Sequence, residues 1–272
     1  MQAPGLWNPP GGTLGRIVAE TRERIAALRA QRFALEAAVR TAPPAPSFLD
    51  ALRTADVAVI AEVKRRSPSK GAINTTIDAA GQARAYRKGG ARAISVLTEG
   101  AHFGGSAEDL EEIRAVVPIP LLKKDFHVDP LQVLEARALR ASALLLIARA
   151  LSPAALVEMA SLARDVGIEP LIEVRSEDEL DNAVRAGARV IGVNTRNLET
   201  LAMDPAVSER IVPLVPRDAI AVHESGVKDR ADVDRAAALG ADAVLVGSAV
   251  SAAPDPAAAV RALTGVPRVP RG

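Results

Sequence analysis

Glu62 and Lys64 stand two residues apart at the end of the apolar run VAVIAEV, residues 57–63, and the segment that follows it. On an extended strand, positions i and i+2 face the same way, so a carboxylate and an ammonium group are aimed at one place. A carboxylate inside an apolar run is costly unless it is paired or put to use. Desolvation also raises its pKa toward the range useful for proton transfer near neutrality. Glu173, in PLIEV, raises the same question, and Lys123 and Lys124 close the run IPLLKK. Of the 34 basic residues only six are lysines (64, 70, 88, 123, 124 and 228), and four of these follow closely on apolar runs. An ammonium can have its pKa shifted where a guanidinium cannot, which suits acid–base chemistry. The alternative is a structural ion pair that closes a core.

These residues need elements to carry them. From residue 57 onward, β-branched runs (57–63, 93–98, 119–124, 143–148, 169–174, 190–194, 219–225 and 243–248) alternate with Ala-rich amphipathic stretches. The stretches predict helices over 76–88, 106–115, 130–139, 152–165, 176–186 and 228–238, several opened by Ser, Asp or Pro and closed by Gly. Near-continuous apolar strands joined by crossovers imply a parallel sheet covered by helices, and eight such units close most simply into a (β/α)8 TIM barrel of the α/β class. A doubly wound open sheet is the alternative. Residues 15–40 have the three- and four-residue apolar spacing of a helix before TAPPAPS breaks it. The expectation is one domain over 1–272, with 1–50 as an N-terminal helical arm.

Composition removes several classes. The chain of 272 residues has no cysteine, which excludes disulfides, thiolate metal sites and cysteine nucleophiles. A net charge of +1 and 2% aromatics speak against nucleic-acid binding. No stretch approaches the ~20 apolar residues of a membrane span, and MQAPGLWNPPGG lacks the pattern of a signal peptide, so a cytoplasmic protein without membrane partners is expected.

In a barrel of this kind, chemistry sits at the C-terminal ends of the strands. Read in order, those ends supply Glu62 and Lys64; Thr98 and Glu99; Lys123, Lys124 and Asp125; Arg149; Glu173; Asn194 and Arg196; Glu224 and Ser225; Gly247 and Ser248. The last two strands end in ESGV and LVGS, and backbone amides at Gly-containing strand-to-helix turns bind phosphate at this place in such barrels. His102, His127 and His223 are scattered without carboxylates at metal spacing, so no metal is expected. The loop after the first strand, RRSPSKG, is stiffened by Pro68 and turned by Gly71; its cations read either as a solvated loop or as a cover over an anion.

Seven ordered segments carry a resemblance: AEVKRRSPSKG, SVLTEGAHFGGS, LLKKDFHVDPLQVLEARALRASALLLIARAL, PLIEV, IGVNTRNLETL, HESGV and VLVGSAV. In order and spacing they resemble indole-3-glycerol phosphate synthase, and the helical arm resembles that family's extension over the barrel mouth. The resemblance implies ring closure of 1-(2-carboxyphenylamino)-1-deoxyribulose 5-phosphate with loss of CO2 and water, in tryptophan biosynthesis, without cofactor or metal. It implies Lys124 as general acid, Glu173 as general base, Lys64 on the substrate's anionic groups, Glu62 orienting Lys64, and Asn194 and Glu224 on the sugar and the developing charge. How the proton transfers divide between Lys64 and Lys124 stays open. Ser67 and Arg196 match positions near the anionic ends, Phe103 and Phe126 the walls of the aromatic ring, and Ser225, Gly226, Gly247 and Ser248 the phosphate cradle. Thr195 and His223 depart from the common pattern. The expected partner is a small phosphorylated molecule and the expected state a monomer. Rival readings are another phosphosugar barrel, such as the isomerase of the preceding step, whose early Cys is lacking here, and a non-catalytic phosphate-binding barrel.

Overall fold

The computed structural model describes residues 7–271. Eight parallel strands close a barrel: β1 (Ala58–Val63), β2 (Ala93–Leu97), β3 (Leu121–Lys124), β4 (Ala143–Ile147), β5 (Glu169–Val174), β6 (Val190–Asn194), β7 (Ile220–Glu224) and β8 (Ala243–Val246). Each pairs with its sequence neighbour, and closure is made by β8 on β1 through Ala58↔Ala243, Ile60↔Leu245 and Ala61↔Val246. An open sheet is thereby excluded. Among the described residues, no helix is long and apolar enough to cross a membrane.

The strand sequences look uniformly apolar because both faces are buried, yet alternation divides them into two cores. Val59, Ala61, Val63, Ile94, Val96, Leu144, Leu146, Ile172, Val193 and Val244 pack toward the helices. Ala58, Ile60, Leu122, Leu145, Leu171, Val222 and Leu245 fill the barrel. Continuing that inner register to the strand ends brings up Glu62, Lys124, Glu173, Asn194 and Glu224 in turn. The barrel therefore has an apolar floor and a charged upper layer.

The crossover helices start where side chains can satisfy their free amides. Ser106 and Asp109 form a capping box on α5 (Ala107–Val116), as do Asp129 and Gln132 on α6 (Pro130–Ala138). The N-terminal segment folds as three helices rather than one: α1 (Gly12–Ala30), α2 (Arg32–Thr41) and α3 (Phe48–Leu52). Leu14, Ile17 and Val18 of α1 enter the inner apolar cluster, and burial of each contributes on the order of 2 kcal/mol. Polar contacts fix α1 laterally, with His102 Nε2 2.6 Å from Glu20 Oε2 and Arg24 Nη2 3.6 Å from Asp125 Oδ1. Preceding α1, the amide of Gly11 donates to Glu199 Oε1 (2.6 Å) and Arg149 donates to the Asn8 carbonyl (2.7 Å). Beyond it, α2 packs on α6, where Arg137 holds the carbonyls of Ala42 and Pro43. Helix α3 packs on β2, its Phe48 and Leu52 sharing the inner cluster with Ala58 and Ala93 at the strand starts.

Candidate active site

A cavity of about 580 Å³ opens at the C-terminal ends of the strands, beneath α1. All fourteen candidate residues line it: Glu62, Lys64, Ser67, Phe103, Lys124, Phe126, Glu173, Asn194, Arg196, Glu224, Ser225, Gly226, Gly247 and Ser248. Of the other strand-end residues, Asp125 joins them, whereas Thr98, Glu99, Lys123 and Arg149 do not.

Glu62 organises the cation side. Its side chain is 1% exposed, with Oε1 2.5 Å from Lys64 Nζ and Oε2 4.0 Å from Lys124 Nζ, and Ser95 Oγ donates to Oε2 at 3.4 Å. Burial pushes its carboxyl up, but the two ammonium groups and the hydrogen bonds from Lys64 and Ser95 outweigh burial and hold it below its ordinary value. The end of β1 is pinned in turn: Ser251 Oγ donates to the Glu62 carbonyl (2.8 Å) and accepts from the Lys64 amide (3.1 Å), while Tyr86 donates to the same carbonyl (3.0 Å). Gly247 leaves the room this pair needs, since a Cβ there would collide with Glu62 Oε1 and come within 2.9 Å of Lys64 Nζ.

Lys124 faces three carboxylates. Burial lowers its pKa, and Glu62, Glu224 and Glu173 together more than reverse this, so the ammonium form is held above its ordinary value. Across the barrel, Glu173 approaches Glu224, and burial together with the Glu173 charge pushes Glu224 up to about 8. Gly192 on β6 makes the approach possible, because a Cβ at that position would strike Glu224 Oε1. The arrangement can therefore deliver a proton from one wall and accept one at the other.

The remaining residues form the walls. Asn194 Oδ1 accepts from the Arg196 amide (2.9 Å) and from Ser225 Oγ (2.8 Å), which leaves its own N–H donors for the cavity. Arg196 is tied to the Leu201 carbonyl at 2.8 Å, and burial lowers its pKa without removing its charge. The Phe103 and Phe126 rings lie 6.0 Å apart at 40°. Glu99 fixes the first of them by accepting from the amides of Ala101, His102 and Phe103 at 3.0, 2.7 and 3.1 Å.

Neighbours in sequence part ways at β3. Lys123, one residue before Lys124, points to the helix layer, 3.0 Å from Glu135 and 3.5 Å from Asp125. His127 accepts there from Lys123 at Nε2 and donates from Nδ1 to the Leu145 carbonyl (2.7 Å); burial and the Lys123 charge push it down to about 3, so it is neutral.

The basic stretch after β1 also divides. Arg66–Ser67 and Gly71–Ala72 form a two-stranded hairpin, and of its cations only Lys70 reaches the cavity wall. Arg65 is spent on Asp109, at 2.5 and 2.7 Å, and on the carbonyls of Gly104 and Ile77. Replacing Arg65 by Met leaves Asp109 buried without its cation, and a loss of about 2 kcal/mol in urea unfolding is expected with KM nearly unchanged. A raised KM at unaltered stability would move Arg65 into the site.

Residue-by-residue reading missed Leu145, Ile147 and Leu198, which supply apolar wall, and Lys228 beside the cradle. Leu145 and Ile147 were within reach, being the inner positions of β4 by simple alternation. Lys228 carried no signal, as one exposed cation in a loop.

A model of the indole-3-glycerol phosphate synthase family matches residues 14–263. The indole-3-glycerol phosphate synthase of Mycobacterium avium (strain 104) is 48% identical over 253 residues, covering 92% of this chain and 93% of that one. The protein of the same description from Mycobacterium ulcerans (strain Agy99) is 50% identical over 226 residues, 83% of each chain. Among solved structures, 3-hexulose-6-phosphate synthase from Salmonella typhimurium superposes with a TM-score of 0.59 at 18% identity, over 76% of this chain and 96% of that one. Thiamine phosphate pyrophosphorylase from Pyrococcus furiosus gives 0.58 at 18% identity, over 76% and 93%. Both share the barrel fold.

Proposed function

Since the chain belongs to the indole-3-glycerol phosphate synthase family of tryptophan biosynthesis, we propose that it closes the indole ring of 1-(2-carboxyphenylamino)-1-deoxyribulose 5-phosphate by acid–base catalysis between Lys124 and Glu173. The observation that carries this reading is the Lys124 ammonium, held protonated by three carboxylates at the base of a cavity walled by two phenylalanines. A phosphate at Ser225, Gly226, Gly247 and Ser248 and a ring between Phe103 and Phe126 place the ribulose carbonyl above Lys124. As the carboxyl-bearing ring carbon attacks that carbonyl, Lys124 protonates the oxygen that becomes a hydroxyl. Loss of CO2 returns an electron pair to the ring and restores its aromaticity. Dehydration then needs a proton on the departing hydroxyl and a base for the proton left behind. Lys64, oriented by Glu62, is placed for the first and Glu173 for the second, while Asn194 and Glu224 hold the sugar and Arg196, Ser67 and Lys64 meet the anionic ends.

Purified protein supplied with this substrate is expected to generate indole fluorescence that grows with time without added metal. A flat trace with authentic substrate sinks the reading.

A further inference from the structure

Thr195 holds the backbone at the end of β7, at the cavity rim. Ser225 has φ +69°, in the left-handed region that a non-glycine residue occupies only when its surroundings hold it there. Its hydroxyl donates to Asn194 Oδ1. From β6, Thr195 Oγ1 lies 3.2 Å from the Glu224 carbonyl and 3.3 Å from that of Ser225, and donates to both, while its amide also donates to Glu224 O (3.1 Å). From the helix side, His223 Nδ1 is 2.8 Å from Ser208 Oγ on the helix Ala206–Ile211. Thr195 is 2% exposed and does not line the cavity, and neither does His223.

We infer that Thr195 is a positioning residue for the phosphate end of the substrate: by donating to the Glu224 and Ser225 carbonyls it fixes the turn that presents Ser225 and Gly226. The inference rests on the proposed reading of the site and deepens it, assigning phosphate affinity to a residue that does not line the cavity. Its side chain acts on binding rather than on the bond-making step.

The test measures binding of indole-3-glycerol phosphate and of its dephosphorylated counterpart, with KM and kcat alongside. Thr195→Val is expected to weaken the phosphorylated ligand about fivefold, the size of one net hydrogen bond. The dephosphorylated ligand and kcat stay unchanged, and KM rises in step. Thr195→Ser, which keeps the donor, retains the parent ratio; it also decides the matter where the Val variant does not fold, since loss of the ratio in Thr195→Ser overturns the inference. Equal weakening of both ligands, or a fall in kcat at constant KM, overturns it too. If the unmodified protein binds the two ligands equally, the phosphate site itself is misassigned; an unchanged ratio in Thr195→Val removes only the role given to Thr195.

Discussion

Lys124→Ala lowers kcat by about a thousandfold, within the range general-acid residues contribute, while product binding stays close to that of the parent. The expectation follows from where the ammonium sits. Three carboxylates surround it, so at neutral pH it carries a proton and stands ready to give it to an oxygen that gains negative charge. Alanine removes the donor and leaves the phosphate cradle and the aromatic walls intact. Lys123→Met is the internal comparison, because that lysine is buried between the barrel and α6 beside Glu135 and Asp125. It is expected to lower stability with kcat unchanged. Stopped turnover in both variants would point to collapse of β3; undiminished turnover in Lys124→Ala would remove the role given to that lysine.

That contrast also measures what the sequence discloses. The eight strands were legible because each is a short β-branched run followed by a helix with its own caps and glycine stop. Barrel closure was not legible in any local segment, since it depends on Ala58 meeting Ala243, two positions that share no pattern. The site was legible as a set of strand ends, and alternation along β1 placed Glu62 and Lys64 on one face. The same rule separates Lys123 from Lys124, although reading the rim as a row of polar residues treats them alike. Arg65 shows the limit. Its partner Asp109 lies 44 residues away on the helix Ala107–Val116, so a cation in a loop and a cation locked into the core look identical in the chain. The helical arm is similar: its periodicity announced helices, but the break at Gln31 and the descent of α3 to the strand starts depend on surfaces that exist only after the barrel has closed.

Glu173→Gln tests the opposite wall and has two readouts that move together. As the proposed base, Glu173 accounts for about a thousandfold in kcat, and glutamine, which keeps the shape but takes no proton, is expected to lose it. Its charge is also one of the causes that raise Glu224 to about 8. In the unfolded chain a Glu carboxyl titrates near its ordinary value of 4.5. Between 4.5 and about 8 the folded parent thus holds a proton that the unfolded chain has released, and the native state loses stability as pH rises through this window. Removing the Glu173 charge lets the Glu224 carboxyl fall back toward its ordinary value, with burial and the Glu62 charge still keeping it raised. The folded variant releases its proton earlier, so the pH-dependent loss is smaller. Urea unfolding at several pH values should therefore show the variant gaining on the parent from pH 5 to pH 8, because the parent loses more stability across this window. Parallel stability curves would mean that the two carboxyl groups titrate independently. A loss of turnover beside parallel curves would keep the base and discard the effect of Glu173 on Glu224.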